Sequence, residues 1–163
     1  MKGDGVHRHQ FNHTMETTMF KHILLPTDGS KLSEKAIKQG VRMAKALGAK
    51  LTMVHVIPKF HTFTYQAEML EATRGEYEDG ASARGQGYLD FARKVANGAG
   101  VDCDGIKIVS DQPFKEIIKA AKKKSCDLIL MASHGRRGIE GFLLGSETQK
   151  VLTHSRIPVL VYR

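Results

Sequence analysis

Four glycines, Gly135, Gly138, Gly141 and Gly145, punctuate the segment from Ala132 to Gln149, Ala-Ser-His-Gly-Arg-Arg-Gly-Ile-Glu-Gly-Phe-Leu-Leu-Gly-Ser-Glu-Thr-Gln. The apolar run Leu128-Ile129-Leu130-Met131 feeds into it. Ser146 opens a helix-like segment with Gln149 three residues on, the spacing of a capping box. A strand, a glycine loop and a helix start are the parts of an anion cradle. Glycine lets main-chain amides approach a ligand, and a helix N-terminus adds unpaired amides and the positive end of the dipole. The Ser146 hydroxyl would add one more donor for a phosphate oxygen. By spacing alone, the same glycines also fit a plain succession of turns. Arg136 and Arg137 carry guanidinium groups that match phosphate oxygens, and a solvated placement fits them equally well. His134 and His55 read as a structural hydrogen-bonder and a packed strand residue. A second polar cluster, Thr27-Asp28-Gly29-Ser30, ends the apolar run Ile23-Leu24-Leu25.

The rest of the chain supplies the elements that hold these two clusters. Phe20 to Pro26 contains the first strand. Ser30 is the N-cap of a helix whose inner face carries Ala36, Ile37, Gly40, Val41, Ala44 and Leu47, and Gly48 ends it. Leu51 to Ile57 is a second strand, closed by Pro58. The region 58–80 is polar and partly aromatic, the pattern of a lid or a partly helical segment. Ala81, Gly85, Tyr88, Ala92, Val95 and Ala99 then recur at helical steps, with Gly85 and Gly87 weakening the first half. Ile106 to Val109 is a short third strand. Asp111-Gln112-Pro113 starts a helix that turns Phe114, Ile117, Ile118 and Ala121 inward. Leu128 to Ala132 is a fourth strand, about Glu147 to His154 a last helix, and Val159 to Tyr162 a final strand. Alternation of this kind predicts an α/β fold: a single doubly wound domain, a five-stranded parallel sheet with helices on both faces. Ligands of such sheets sit beyond the carboxyl ends of the strands, where strand order reverses. That rule brings Thr27 and Asp28 toward Ser133, His134 and Gly135.

Composition narrows the function classes. The 163 residues are 41% hydrophobic, enough for one real core. The net charge of +8 raises the question of nucleic acid. The basic residues are dispersed, however, and the run Lys122-Lys123-Lys124 closes a predicted helix, where cations suit the dipole. With no aromatic-basic interleaving either, nucleic acid is not an expected partner. No apolar run approaches a membrane span, and the N-terminus carries no secretory apolar core. Cys103 and Cys126 form no metal or redox motif and fit a cytoplasmic protein. Residues 1–18, with His7, His9 and His13, read as an extension outside the fold, and 19–163 as the domain. The P-loop pattern is absent, and so is G-x-G-x-x-G after the first strand.

Residues 20–163 resemble the universal stress protein family. The resemblance rests on Ile23-Leu24-Leu25-Pro26-Thr27-Asp28-Gly29-Ser30, on His55-Val56, and on Ser133-His134-Gly135-Arg136-Arg137-Gly138 followed by Leu143-Leu144-Gly145-Ser146. The closing Ile157-Pro158-Val159-Leu160-Val161 also matches. The family's ATP-binding branch carries G-x-x-G, nine residues, then G-[ST]. Gly135 and Gly145-Ser146 satisfy the second part, while Ala132 stands where the first glycine belongs. The resemblance implies an adenine nucleotide alpha hydrolase-like fold. It implies ATP as ligand, accompanied by Mg or Mn on its phosphates. Asp28 would approach the ribose or adenine side, with Pro26 and Thr27 shaping the wall. Val56 would contact the adenine edge, and Met131 and Ala132 would line the sugar. Gly135, Gly145, Ser146 and the Glu147 backbone would hold phosphates, with Arg136 beside them. A homodimer through Val159 to Val161 is implied as well.

The residues and the resemblance together leave three functions open, with nucleic-acid binding a weak fourth. The first is a nucleotide-dependent stress-response regulator in the cytoplasm. The second is a slow ATP hydrolase. The third is a dimeric interaction module in which the Ala132 methyl closes the pocket to nucleotide.

Overall fold

Alternating apolar and glycine-bearing segments become alternating strands and helices. The computed structural model describes residues 19–61, 67–136 and 144–163, with the backbone alone for 67–73. The segment 1–18 and the loop positions Arg137, Gly138, Gly141 and Leu143 lie outside the described residues. The elements in order are β1 (His22–Pro26), α1 (Lys31–Leu47), β2 (Lys50–Ile57), α2 (Ala67–Ala99), β3 (Cys103–Val109), α3 (Pro113–Lys123), β4 (Leu128–Ala132), α4 (Ser146–His154) and β5 (Val159–Tyr162).

The five strands form one parallel sheet in the order β3-β2-β1-β4-β5. The order reverses between β1 and β4, so the predicted doubly wound α/β fold is the observed one. Strand side chains alternate between two core layers. Ile23, Leu25, Leu51, Met53, Leu128 and Leu130 pack with the buried stripes of α1 and α2. Leu24, Val54, Ile129 and Met131 pack with Ile117, Ile118 and Ala121 of α3 and Val151 of α4. Burial on both faces explains why β1 and β4 read as unbroken apolar runs. The Asp127 carboxylate aligns their starts by accepting from the amides of Lys21 at 2.8 Å and His22 at 3.0 Å.

Local chemistry sets the helix ends. The Ser30 hydroxyl accepts from the Ser33 amide, and Gly48 adopts φ 64 as the left-handed C-cap of α1. Three elements differ from the sequence expectation. Helix α2 begins at Ala67 and runs 33 residues, through Gly75, Gly80, Gly85 and Gly87, so the region before Ala81 is largely helical. Strand β3 begins at Cys103, because its polar half pairs with Leu51 to Met53 at a sheet edge, where one side needs no apolar cover. The N-cap of α4 is Gly145, and Ser146 is its first helical residue. The Gln149 side chain closes no capping box; its amide donates to the Leu144 carbonyl at 2.9 Å.

Candidate functional site

A cavity of about 650 Å³ opens beyond the carboxyl ends of β1, β2 and β4, at the reversal of strand order. The eleven residues to which the family resemblance gives a role line it: Pro26, Thr27, Asp28, Val56, Met131, Ala132, Gly135, Arg136, Gly145, Ser146 and Glu147. Arg137 lies outside the described residues.

The polar side of the cavity is built from two strand ends. Asp28 follows β1, where its Oδ1 accepts from the Ser30 amide at 3.0 Å and its Oδ2 from the Arg136 amide at 2.8 Å. The carboxylate thus ties the loop after β1 to the loop after β4. Burial by itself would raise the Asp28 carboxyl. Hydrogen bonds from Ser30, the Arg136 amide and Ser33 outweigh burial and hold it below the ordinary carboxylate value. Gly135 is a glycine because a Cβ there would run into Asp28 Oδ2. Thr27 shares a hydrogen bond of 3.1 Å with Ser33 and accepts from the Gly29 amide at 3.2 Å.

The start of α4 faces the same cavity. Gly145 donates its amide to the Ser133 carbonyl at 2.8 Å, and a Cβ on it would press on the His134 backbone at 3.1 Å. The first intrahelical bond of α4 runs from the Gln149 amide to the Gly145 carbonyl. The amides of Ser146, Glu147 and Thr148 therefore precede the helix's own ladder, and no side chain caps them. Thr148 anchors the turn by donating its hydroxyl to the Ala132 carbonyl at 3.1 Å. The Glu147 side chain turns away to α3, accepting from the Phe114 amide at 2.8 Å and from Lys150 Nζ at 2.8 Å. Only the Glu147 backbone remains at the helix start.

Val54, Val56, Ile117 and Met131 belong to the core layer under α3 and α4, and with Pro113 they form one apolar part of the lining. Ala132 belongs to the opposite layer, packed under α1 and α2. The cavity beside Asp28 stays open with the Ala132 methyl in place.

A third wall comes from α2, and sequence reasoning did not find it. Tyr77, Ala81, Arg84 and Tyr88 project from one face of that helix into the lining. Their steps of four, three and four were the available signal, masked by the glycines among them. His55 also lines the cavity. Its Nδ1 lies 2.7 Å from the Thr27 carbonyl, which only accepts, so Nδ1 carries the proton and Nε2 is bare. Burial lowers its basicity, and the Arg136 charge lowers it further against the raising effect of the Thr27 bond. Elsewhere, burial pushes the Cys103 and Cys126 thiols each up to about 11, so neither is a reactive thiolate.

Strand order, the open cavity and the two linked loops are those of a doubly wound α/β domain, and comparison with known proteins names the group. The family model described as the universal stress protein family matches residues 19–163. The chain belongs to the universal stress protein family.

Universal stress protein MJ0531 of Methanocaldococcus jannaschii is 32% identical over 148 residues, which are 89% of this chain and 83% of that protein. Universal stress protein MJ0577 of the same organism is 31% identical over 159 residues, 90% of this chain and 97% of that protein. The solved structure of MJ0577, presented as a structure-based assignment of biochemical function, superposes with a TM-score of 0.74 over 88% of this chain and 95% of that one. A universal stress protein solved in complex with cAMP has a TM-score of 0.64 at 24% identity, over 89% of this chain and 98% of that one. At that identity it shows the shared fold alone. Among the described residues no helix is long and apolar enough to cross a membrane.

Proposed function

We propose that this universal stress protein binds ATP and acts as a regulator whose nucleotide occupancy sets its interactions. The observation that carries the reading is the pairing of an apolar lining with uncapped helix amides in one cavity. Val56 and Ile117 would take the adenine ring, with Met131 and Ala132 against the sugar. Asp28 keeps lone pairs beyond its two backbone bonds and would accept from ribose hydroxyls. The amides of Ser146 and Glu147, the Ser146 hydroxyl and Arg136 would meet the phosphates. A volume of about 650 Å³ suits a ligand of this size. Among the described residues no group of three or more His, Cys, Asp or Glu would hold a metal ion, so Mg or Mn would enter on the phosphates. The setting we propose is cytoplasmic, in keeping with two free cysteines. The assembly we propose is a homodimer through β5.

Ser146→Asp is the discriminating variant. A carboxylate in the first turn of α4 suits the helix dipole, so the fold should hold. The same charge would repel phosphate. Native protein is expected to release an adenine nucleotide on denaturation, identified by mass spectrometry, and to melt higher with added ATP. The Ser146→Asp protein should do neither. Retention of nucleotide by that variant, or none released and no thermal shift in the native protein, would overturn the reading. Gly145→Val is less informative, since its side chain would strain the His134 backbone with no ligand at all.

A further inference from the structure

The cavity holds its charges unequally. Among the described residues both carboxylates of its lining are engaged by the chain itself: Asp28 by the amides of Ser30 and Arg136, Glu147 by the Phe114 amide and Lys150. Arg84 and Arg136 also line it, and among the described residues neither guanidinium is paired with a carboxylate.

Arg136 is nevertheless held at both ends. Its amide is fixed on Asp28. Its guanidinium donates through Nη2 to the Tyr88 hydroxyl and lies over the Tyr88 ring, 5.0 Å from the centroid. Tyr88 is held in turn, edge-on to His55 with ring centroids 5.1 Å apart. Gly29, at φ +75, leaves the space that the Tyr88 ring fills; a Cβ there would overlap it. This choice of partner matters chemically. An aspartate or glutamate would hold the arginine and cancel its charge. A phenol ring and hydroxyl hold it and leave the charge available to a ligand. A guanidinium already confined also loses less rotamer freedom when an anion arrives.

We propose that Tyr88 is a positioning residue that presents the Arg136 guanidinium as the cavity's reader of ligand negative charge, so that an adenine ligand gains affinity from its phosphates through this pair. The assignment rests on the nucleotide reading above and goes beyond it by naming the α2 residue that sets phosphate preference.

The test compares ATP with adenosine on the full chain, each by displacement of a fluorescent adenine nucleotide. It uses Arg136→Gln, Tyr88→Leu, Tyr88→Phe and the Arg136→Gln/Tyr88→Leu double variant. Arg136→Gln should lower the ratio of ATP to adenosine affinity about tenfold, the size of one charge-assisted hydrogen bond. Tyr88→Leu should lower it comparably. Tyr88→Phe, which keeps the ring and loses the hydroxyl, should recover part of the ratio. The double variant should be no worse than Arg136→Gln alone, because the two residues act as one unit. Native ATP binding should also weaken with salt more steeply than that of Tyr88→Leu. An unchanged ratio in Tyr88→Leu, an equal loss of ATP and adenosine, or additive losses in the double variant would each overturn the positioning role while leaving the nucleotide reading intact. No binding of either ligand by native protein would overturn both. If Tyr88→Leu does not fold, an unchanged ratio in Tyr88→Phe with an intact melting transition counts against the proposal.

Discussion

Two buried histidine rings give this protein a defined response to acid. His55 is neutral in the folded state because burial and the Arg136 charge disfavour its cation, and its Nδ1 proton is committed to the Thr27 carbonyl. His22, bonded to the Thr52 hydroxyl at 2.8 Å, is lowered by burial and by Lys50. Below the ordinary value of 6.5 the unfolded chain takes up protons that the folded chain refuses. Stability is therefore fully present above that pH and falls as the pH drops beneath it. Asp28 adds a second, lower stage. Its folded value lies below the ordinary 3.8, so its contribution is present above that pH and is lost as the pH falls through the folded value. Melting temperatures measured from pH 7.5 to 3 should decline in two stages. His55→Asn, which keeps a donor for the Thr27 carbonyl, should flatten the upper stage, and Asp28→Asn the lower one. An upper stage unchanged in His55→Asn would remove that ring from the account.

The long helix α2 shows how neighbouring glycines act with opposite sign. Gly87 has open space where a side chain would go, whereas a Cβ on Gly85 would come within 2.7 Å of His55 Cδ2. Gly87→Ala should stabilise the protein by about 0.5–1 kcal/mol through helix propensity and a less flexible unfolded chain. Gly85→Ala gains the same term but must displace the buried His55 ring, and should be net destabilising by about 1–2 kcal/mol. Urea denaturation of the two variants, with m-values compared, measures both. The same helix marks the limit of what the sequence discloses. Helix α1 is legible because its signals are local, a serine at one end and a glycine at the other. In the first half of α2, among the described side chains before Gly80, Arg74, Glu76, Glu78 and Asp79 are all exposed. That half rests on contacts such as Arg74–Glu78 at 2.8 Å and the Phe60–Tyr77 ring pair, which periodicity does not register. The α4 start shifts by one residue for a related reason. The Gly145 amide is drawn to Ser133, a contact set by how the loop folds back on β4. The two strand-end clusters of the site were readable because each directly follows an apolar run. The α2 wall was not, because it joins them only through tertiary packing.

At the level of the whole molecule, β5 is an edge strand with Leu160 exposed at 42%. An apolar edge with unpaired backbone groups is ready to pair with a twofold copy of itself. Leu160→Glu should convert the proposed dimer to a monomer in analytical ultracentrifugation, with the cavity beyond the other strand ends untouched. A native protein that sediments as a monomer would end the dimer proposal. The order of the sheet has a consequence for synthesis as well. β1 lies at its centre, yet the contact that aligns it with β4 joins His22 to Asp127, 105 positions later. A ribosome-bound chain must therefore carry one apolar flank of β1 unmatched until most of the protein has been made. No ligand can rescue such a chain early, since the helix start at Ser146 emerges later still. Truncated products that end before β4 should therefore be prone to aggregate.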